Sequence, residues 1–211
     1  MYEEKIIPPK KAMPQAQDGT LRKFALRVPE VIYQCSGIMV FGKRIKSLVF
    51  STDLSIIKNV NADAIIAVYP FTPQPIITQA LLLAADIPVF AGVGGGLTQG
   101  QRVVNLAMFA EMQGATGVVL NAPTANTVVQ HVAETIDIPV VVTVAAETPA
   151  IVRSIRERYP DVPIIATGGP TDESILETIQ AGANTITWTP PSNGEIFRGI
   201  MAAYRDNKPH P

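Results

Sequence analysis

The sequence predicts an α/β fold, a (β/α)₈ TIM barrel from which one βα unit, the sixth, is missing. Two observations predict it. Short β-branched runs alternate with amphipathic helical patterns from about Arg44 to the end of the chain. Two short phrases also recur where the runs begin, and their alternation fails once. We expect one domain over residues 1–211, with an N-terminal arm and hairpin over about residues 1–43.

The predicted strands are apolar along their length, as strands buried on both faces are, and turn residues bound each of them. Seven such runs follow one another, namely RIKSLVFS, AIIAVYP, IPVFAGV, TGVVLNA, IPVVVTV, VPIIATGG and NTITWTP. Helical patterns follow them, namely LSIIKNVN, QPIITQALLLAA, QRVVNLAMFAEMQGA, NTVVQHVAETI, PAIVRSIRERY, ESILETIQAGA and GEIFRGIMAAYRD. This alternation is typical of a parallel sheet covered by helices.

Local signals mark some element boundaries. Ser192 and Glu195 have the spacing of a helix capping box. Before the first strand, LRKFALRVPEVIYQ predicts a helix, and SGIMVFGKRIKSLVF predicts a small hairpin that turns at Gly42-Lys43.

The strand-entry phrases are the evidence for a barrel with a missing unit. One phrase is N/G-A-x, found as NAD, GAT and GAN, and the other is D-I/V-P, found as DIP twice and DVP once. They alternate except between Asp137 and Asp161, where two D-x-P phrases succeed each other. Seven visible units and one missing unit make the eight of a closed barrel. The competing architecture is an open, doubly wound sheet.

Composition excludes several functions. The chain has 47% hydrophobic and 17% charged residues and a net charge of −1, so no basic field exists to hold nucleic acid or an anionic membrane. The chain has two histidines and one cysteine, Cys35, which are too few for a typical His/Cys metal site. No apolar stretch has the length of a membrane span or signal peptide, and we expect a cytoplasmic protein with no nucleic-acid or membrane partner.

The carboxyl ends of barrel strands build the active site, so the residues there are the candidates. Asp53 and Glu147 are the main ionisable groups, and we expect them to transfer protons, although each could instead cap a helix. Tyr69, Asn121 and Thr167 lie at other strand ends and would orient the ligand.

Two neighbouring strand ends predict an anion site. Gly168-Gly169 would end the seventh strand of the full barrel, and Ser192-Asn193-Gly194 follows the eighth, where such barrels commonly hold phosphate. Backbone amides there, helped by a helix N-terminus, could bind a phosphorylated molecule or an inorganic anion. The opposing consideration is that Asp172 and Glu173 already complement the helix dipole and would repel phosphate.

PVFAGVGGG, GATGVVLNAPT, DIPVVVTV, DVPIIATGGPT and AGANTITWTPPS resemble a family of uncharacterised bacterial TIM-barrel proteins that often carry the label hydrolase. The resemblance covers nearly the whole chain and implies the barrel fold. More distantly, the TGG and TPPS ends resemble phosphate-binding barrels such as N-acylmannosamine-6-phosphate epimerase, and FMN-dependent nitronate monooxygenases. That resemblance implies a phosphate at Gly168 and Gly169, although the monooxygenase's catalytic histidine has no counterpart at a strand end here.

Three functions stay open. The leading hypothesis is an enzyme that acts on a small, phosphorylated metabolite by acid–base chemistry, as an isomerase, lyase or hydrolase, with no required cofactor. The alternatives are an FMN-dependent oxidoreductase and a non-catalytic metabolite-binding barrel. We also expect a homo-oligomer, as a dimer, because the gap beside IPVVVTV leaves a strand edge that the N-terminal arm and hairpin could cover.

Overall fold

The structure is a computed structural model that describes residues 26–143 and 149–206. The strands are β1 (Ile38–Val40), β2 (Lys43–Ile45), β3 (Ser47–Phe50), β4 (Ala64–Ala67), β5 (Val89–Gly95), β6 (Gly117–Asn121), β7 (Val140–Val142), β8 (Ile165–Thr167) and β9 (Thr185–Trp188). The α-helices are α1 (Leu54–Asn59), α2 (Pro75–Ala84), α3 (Gln101–Met112), α4 (Asn126–Thr135), α5 (Pro149–Arg158), α6 (Asp172–Gln180) and α7 (Asn193–Arg205).

Seven strands form one parallel sheet in the order β7-β6-β5-β4-β3-β9-β8. The first strand of the sheet in sequence, β3, pairs with both β4 and the last strand, β9. This is the strand order of a barrel that is open between β7 and β8. The sequence-based expectation of parallel strands in barrel order, with a discontinuity between the strands at Ile138 and Pro163, agrees with this topology.

The sheet curls around an apolar interior. Its centre contains Leu48, Ile66, Phe90 and Val119, which are all buried. Val141 of β7 and Ile165 of β8 both pack against this cluster, although their strands lie at opposite ends of the sheet. A flat sheet would hold these two side chains several strand widths apart. The result is a curled half-barrel, with further apolar clusters between the strands and the outer helices.

The hairpin of β1 and β2 closes the amino-terminal end of the barrel. It turns at Phe41 and Gly42, which both have positive φ, as a two-residue hairpin turn requires. Val40 and Ile45 insert into the interior cluster, and the Ile45 carbonyl accepts a hydrogen bond from the Thr185 hydroxyl at 2.9 Å. The predicted hairpin is therefore present, with its turn one residue earlier than the predicted Gly42-Lys43. Within the chain it lies at the amino-terminal end of the barrel, and cover of the strand edge beside IPVVVTV by the arm or by a neighbouring copy stays a prediction.

The predicted helix over LRKFALRVPEVIYQ is also wrong for its described part. Leu26 forms a parallel bridge with Val60, and the Val28 amide donates to Asn61 Oδ1 at 2.8 Å. These backbone groups are thus bonded to the loop before β4 instead of to a helix. Only Glu30–Gln34 is helical, as a short 3₁₀ turn.

Two of the three N/G-A-x phrases have a structural cause. Asp63, the third residue of NAD, accepts hydrogen bonds from the amides of Lys46 and Ser47 at 2.9 and 3.0 Å, where β3 begins. Asn184, the third residue of GAN, accepts one from the Ile164 amide at 2.9 Å, before β8. In both cases a side chain at one strand's entry satisfies backbone donors at the entry of its neighbour.

Within the described part of the chain, none of the helices has the length and apolarity that crossing a bilayer requires.

Candidate functional site

A cavity of about 280 Å³ lies at the carboxyl ends of the sheet strands and extends into the opening between β7 and β8. We call it the mouth cavity. Its walls are mainly apolar, and none of its described lining residues is acidic or basic. Polar groups come from Asn121, Thr143, Thr167 and Thr187. Apolar walls with a few polar groups are typical of small-molecule sites.

A second cavity, of about 220 Å³, lies between the loop after β4 and the glycine-rich loop after β5. We call it the glycine-loop cavity. Tyr69 lines it, and its hydroxyl accepts a hydrogen bond from the Gln74 amide at 2.7 Å, so the hydroxyl proton is available to a ligand. Val68 and Asn121 line both cavities. One ligand could therefore contact both of them.

Asn121 lies between the two cavities and is the last residue of β6. Its backbone carbonyl accepts a hydrogen bond from the Thr124 hydroxyl at 2.6 Å, but its half-buried side-chain amide makes no hydrogen bond within residues 26–143 and 149–206. The Thr187 hydroxyl likewise has no hydrogen-bond partner in the described ranges, and Thr187 is only 7% exposed. Both residues line the mouth cavity and their side-chain polar groups have no partner within the described part of the chain, so these two are the natural contacts for a ligand.

The glycine-rich segment at the end of β5 makes a tight turn against the end of β6. Gly94, Gly95 and Gly96 all have positive φ, and the Gly96 amide donates to the Pro123 carbonyl at 3.1 Å. A side chain at position 95 would overlap the Asn121 carbonyl. The glycines are thus required by the close approach of the loop to β6, whatever binds in the adjacent cavity.

Asp53 is the N-cap of α1. One carboxylate oxygen accepts hydrogen bonds from the Ser55 amide and hydroxyl at 2.8 and 2.7 Å and from the Ile56 amide at 3.3 Å, and the other accepts one from the Asn193 side chain. These bonds, the Ser55 hydroxyl's above all, lower the pKa of Asp53 below its ordinary value. A carboxylate with a lowered pKa is a weaker base, and this one is largely engaged as a cap.

The pair Gly168-Gly169 is needed for packing. A Cβ at position 168 would lie 2.8 Å from Ile186 Cγ2, and one at 169 would overlap the Ser174 hydroxyl. The Gly168 amide donates to the Thr187 carbonyl at 3.0 Å, which extends the pairing of β8 with β9. Of the two amides predicted to bind an anion, the one at Gly168 is therefore already used.

The helix that follows the glycine pair, α6, is capped by its own side chains. Thr171 and Ser174 form a reciprocal capping box, and hydrogen bonding to its own backbone amide lowers the pKa of Glu173. The acids Asp172 and Glu173 at this helix start are visible in the sequence as dipole-complementing residues, whereas the Thr171/Ser174 box became visible only in the structure.

The start of α7 is capped in the same way. The predicted capping box is confirmed, because Glu195 Oε2 accepts hydrogen bonds from the Ser192 amide and hydroxyl, both at 2.7 Å, and the Glu195 amide donates to the Ser192 hydroxyl at 3.3 Å. The Ser192 bonds lower the pKa of Glu195. Asn193 contacts Asp53, and Gly194 lies in the first turn of α7.

The predicted site residues therefore fall into three groups. Tyr69, Asn121 and Thr167 line the two connected cavities. Asp53 lies with Ser192 and Asn193 in a shallow depression beside β3, whereas Gly168 and Gly169 line a neighbouring depression with Asp172. Glu147 lies outside the described residues.

Sequence reasoning missed Thr187, which lines the mouth cavity together with Thr143. Thr187 pairs in register with Thr167 on the neighbouring strand. The available signal was the alternation of threonines in NTITWTP, because alternate residues of a strand point to the same face.

Two cofactor classes can be compared with these residues. The flavin hypothesis stays a prediction: Gly168 and Gly169, which would bind the flavin phosphate, line an open depression together with Asp172. No group of three or more His, Cys, Asp or Glu side chains in the described ranges could hold a metal ion.

No protein-family model and no curated protein sequence matches the chain. Among solved structures, the fold is similar to a proposed phosphonomutase from Burkholderia cenocepacia J2315, with 13% identity, a TM-score of 0.53, and coverage of 76% of this chain and 92% of that one. Lesser similarity is found to 4-hydroxy-tetrahydrodipicolinate synthase from Methylacidiphilum fumariolicum SolV, with 14% identity, a TM-score of 0.48, and coverage of 79% and 75%. At these identities the likeness concerns the fold, that of TIM-barrel enzymes.

Proposed function

We propose that the chain is an enzyme that binds a small metabolite in the mouth cavity and acts on it by acid–base chemistry, as an isomerase, lyase or hydrolase. The observation that carries the proposal is the side-chain amide of Asn121. It is half-buried, has no hydrogen-bond partner among the described residues, and lies where two cavities meet at the carboxyl end of a barrel strand.

The described residues would bind and orient the ligand. The Asn121 amide offers two donors and an acceptor, the Thr187 hydroxyl offers one donor, and the Tyr69 hydroxyl offers its proton from the glycine-loop cavity. Apolar side chains, such as Phe50 and Ile165, exclude water from the remaining walls. Together these groups suit a small molecule with a carbonyl or hydroxyl group on a compact carbon frame.

Proton transfer needs an ionisable group, and none of the described acidic or basic residues lines the mouth cavity. Of the two candidates, Asp53 is engaged as a helix cap. Glu147 follows shortly after Thr143, which lines the cavity at the end of β7. We therefore assign the general acid–base role to Glu147 as part of the proposal.

The proposed substrate carries a phosphate group. This part of the proposal rests on the predicted anion site at Gly168, Gly169 and Ser192 to Gly194, and the first turns of α6 and α7 both reach the depression that the two glycines line, through Asp172 and Glu195. Capping by Thr171, Glu195 and their partners competes with it. Each phosphorylated ligand should therefore be tested beside its unphosphorylated counterpart.

A missing βα unit between β7 and β8 belongs to the same proposal. Two independent observations support it: the strand-entry phrases stop alternating at this point, and the sheet is unpaired there. The mouth cavity extends into this opening. A ligand could enter the barrel by this route as well as from the carboxyl end.

A non-catalytic metabolite-binding barrel is the second candidate. The absence of acidic and basic side chains from the described lining of the mouth cavity favours it. Binding without turnover, in the presence of intact Glu147, would distinguish it from the enzyme.

The test is a thermal-shift and calorimetric screen of small carbonyl, hydroxyl and phosphorylated metabolites, followed by the variants Asn121→Leu and Thr187→Val. A ligand of the mouth cavity should bind about tenfold or more weakly to Asn121→Leu, because a buried hydrogen bond is lost. The matched control is Asn59→Leu, at the C-terminal end of α1, where the amide donates to the Ser55 carbonyl at 2.7 Å. Equal affinity of both Asn→Leu variants would refute the proposed site.

A further inference from the structure

Five large apolar side chains are exposed on two neighbouring outer helices. They are Ile76 and Leu83 of α2 and Met108, Phe109 and Met112 of α3, and they are between 40% and 81% exposed. We call this surface the α2/α3 face. Ile76 and Leu83 are seven residues apart, and Met112 follows Met108 by four and Phe109 by three, so on each helix they share one side.

The two helices are joined where these residues lie. The Gln113 side-chain amide, next to Met112, donates to the Pro75 carbonyl, next to Ile76, at 3.3 Å. The end of α3 therefore contacts the start of α2, and the apolar side chains of the two helices belong to one surface. From ordinary residue areas, the five residues expose about 600 Å², the upper end of the largest apolar patch on a typical monomer.

The surrounding chain is almost free of charge. Residues 64–130, which we call the neutral half, contain only three Asp, Glu, Lys or Arg residues: Asp86, Arg102 and Glu111. Glu111 accepts hydrogen bonds from the amides of Asp137 and Ile138, and Asp86 forms an ion pair with Lys58 at 2.7 Å. Solvent-facing helices normally carry charges, and α2 carries none.

These observations favour a second copy of the chain as the partner. A two-fold axis brings each residue near the axis close to its own counterpart, so like charges there would repel. None of the five residues of the α2/α3 face is charged, and the exposed Arg102 lies on the same side of α3 but two turns, about 10 Å, before Phe109. A standard interface buries about 800 Å² on each partner. Exposed neutral residues beside the five apolar ones, namely Gln79, Ala80 and Asn105, bring the face close to that size.

We propose that the α2/α3 face is the interface of a homodimer. The dimer would lie beside β4 and β5, away from the strand edge of β7 where the sequence alone suggested association. This inference does not depend on the proposed function.

The experiment is sedimentation equilibrium of the full chain, from about 1 to 100 µM, for the parent and for Leu83→Glu and Met112→Glu. The parent should have twice the chain mass of 22.6 kDa. Each substitution should raise the dimer dissociation constant at least about tenfold, because it places a charge at the symmetric contact. Circular dichroism and thermal unfolding will show that the variants still fold.

The matched control is Phe197→Glu, which introduces the same charge at an apolar side chain that is 64% exposed on α7. It should leave the dissociation constant unchanged. A monomeric parent over the whole concentration range would overturn the proposal, as would a dimer that persists in Leu83→Glu and Met112→Glu. So would a dimer that Phe197→Glu weakens as much as they do.

Discussion

Two parts of the barrel, the neutral half and a charged half, are held together by different interactions. Residues 26–63 and 149–206, which we call the charged half, contain Asp, Glu, Lys or Arg at twenty positions, against three in the neutral half. In the charged half, ionised side chains bind backbone groups: Asp63 at the entry of β3, Asp53 at the start of α1, and Arg156 beside β8 and β9. In the neutral half, small residues allow close backbone approach, and apolar side chains fill the space.

This difference predicts which substitutions the chain can tolerate without a large loss of stability. A side-chain hydrogen bond can be lost at a cost of about 1 to 2 kcal/mol, because the exposed partner can bond to water instead. A backbone contact that requires glycine has no such alternative. The surface of the neutral half is also the part of the molecule best suited to contact another chain, and that of the charged half is suited to water.

The largest effect is expected at Gly95 in the neutral half. Gly95→Ala would force a side chain into the Asn121 carbonyl at a positive φ, and neither backbone can move without disturbing the pairing of β5 with β6. We expect a loss of about 3 kcal/mol or more in the free energy of unfolding, measured by urea denaturation. Gly96→Ala is the control, since φ is also positive there but nothing lies within 4 Å, and it should cost about 1 kcal/mol. Equal losses at the two positions would show that close approach does not constrain this loop.

An intermediate effect is expected at Arg156 in the charged half. Its guanidinium donates to the Gly182, Pro160 and Val162 carbonyls and to Asn184 Oδ1. Arg156→Ala should lower the free energy of unfolding by about 2 kcal/mol, because several half-buried acceptors lose their donor. Arg156→Lys should recover only part of the lost free energy of unfolding, since one ammonium group cannot make all the hydrogen bonds of the planar guanidinium.

Arg153→Ala, at an exposed position on the same helix, should change stability by less than about 0.5 kcal/mol. A loss at Arg156 no larger than at Arg153 would contradict the idea that charged side chains hold this half together.

The smallest effect is expected at Asp53. Asp53→Ala should lower the free energy of unfolding by about 1 kcal/mol at pH 7, because the α1 cap is lost. Asp53→Asn should retain most of the stabilisation by the cap, because asparagine is also a good cap. The folded-state pKa of Asp53 is lowered, so the stability that its charge contributes is present at neutral pH. That stability is lost as the pH falls below about 3.9 and through the folded-state pKa.

Urea denaturation of the parent and Asp53→Asn between pH 7 and pH 2.5 will measure this, and the two curves should converge in acid. A constant difference across the whole pH range would show that ionisation of Asp53 does not stabilise the fold.

The sequence by itself determined the elements and their order. Apolar runs such as AIIAVYP and amphipathic patterns such as ESILETIQAGA depend on local periodicity, so the strands and helices could be located without coordinates. The break in the phrase alternation lies between Asp137 and Asp161, which is also where the sheet is open between β7 and β8. The Ser192/Glu195 box is likewise a local pattern with a local cause.

Tertiary structure decided what the side chains at the strand ends are free to do. The sequence shows Gly168-Gly169 and Asp53 as candidate ligand contacts, but their environment comes from Ile186, Ser174 and Asn193, which are distant in sequence or one helical turn away. Residues that are far apart in sequence also share the two surfaces that matter here: Thr187 and Asn121 line one cavity, and Ile76 and Met112 belong to one outer face. Local patterns carry the energetics of helices and strands, whereas the satisfaction or exposure of a polar or apolar group depends on which chain segments fold against it.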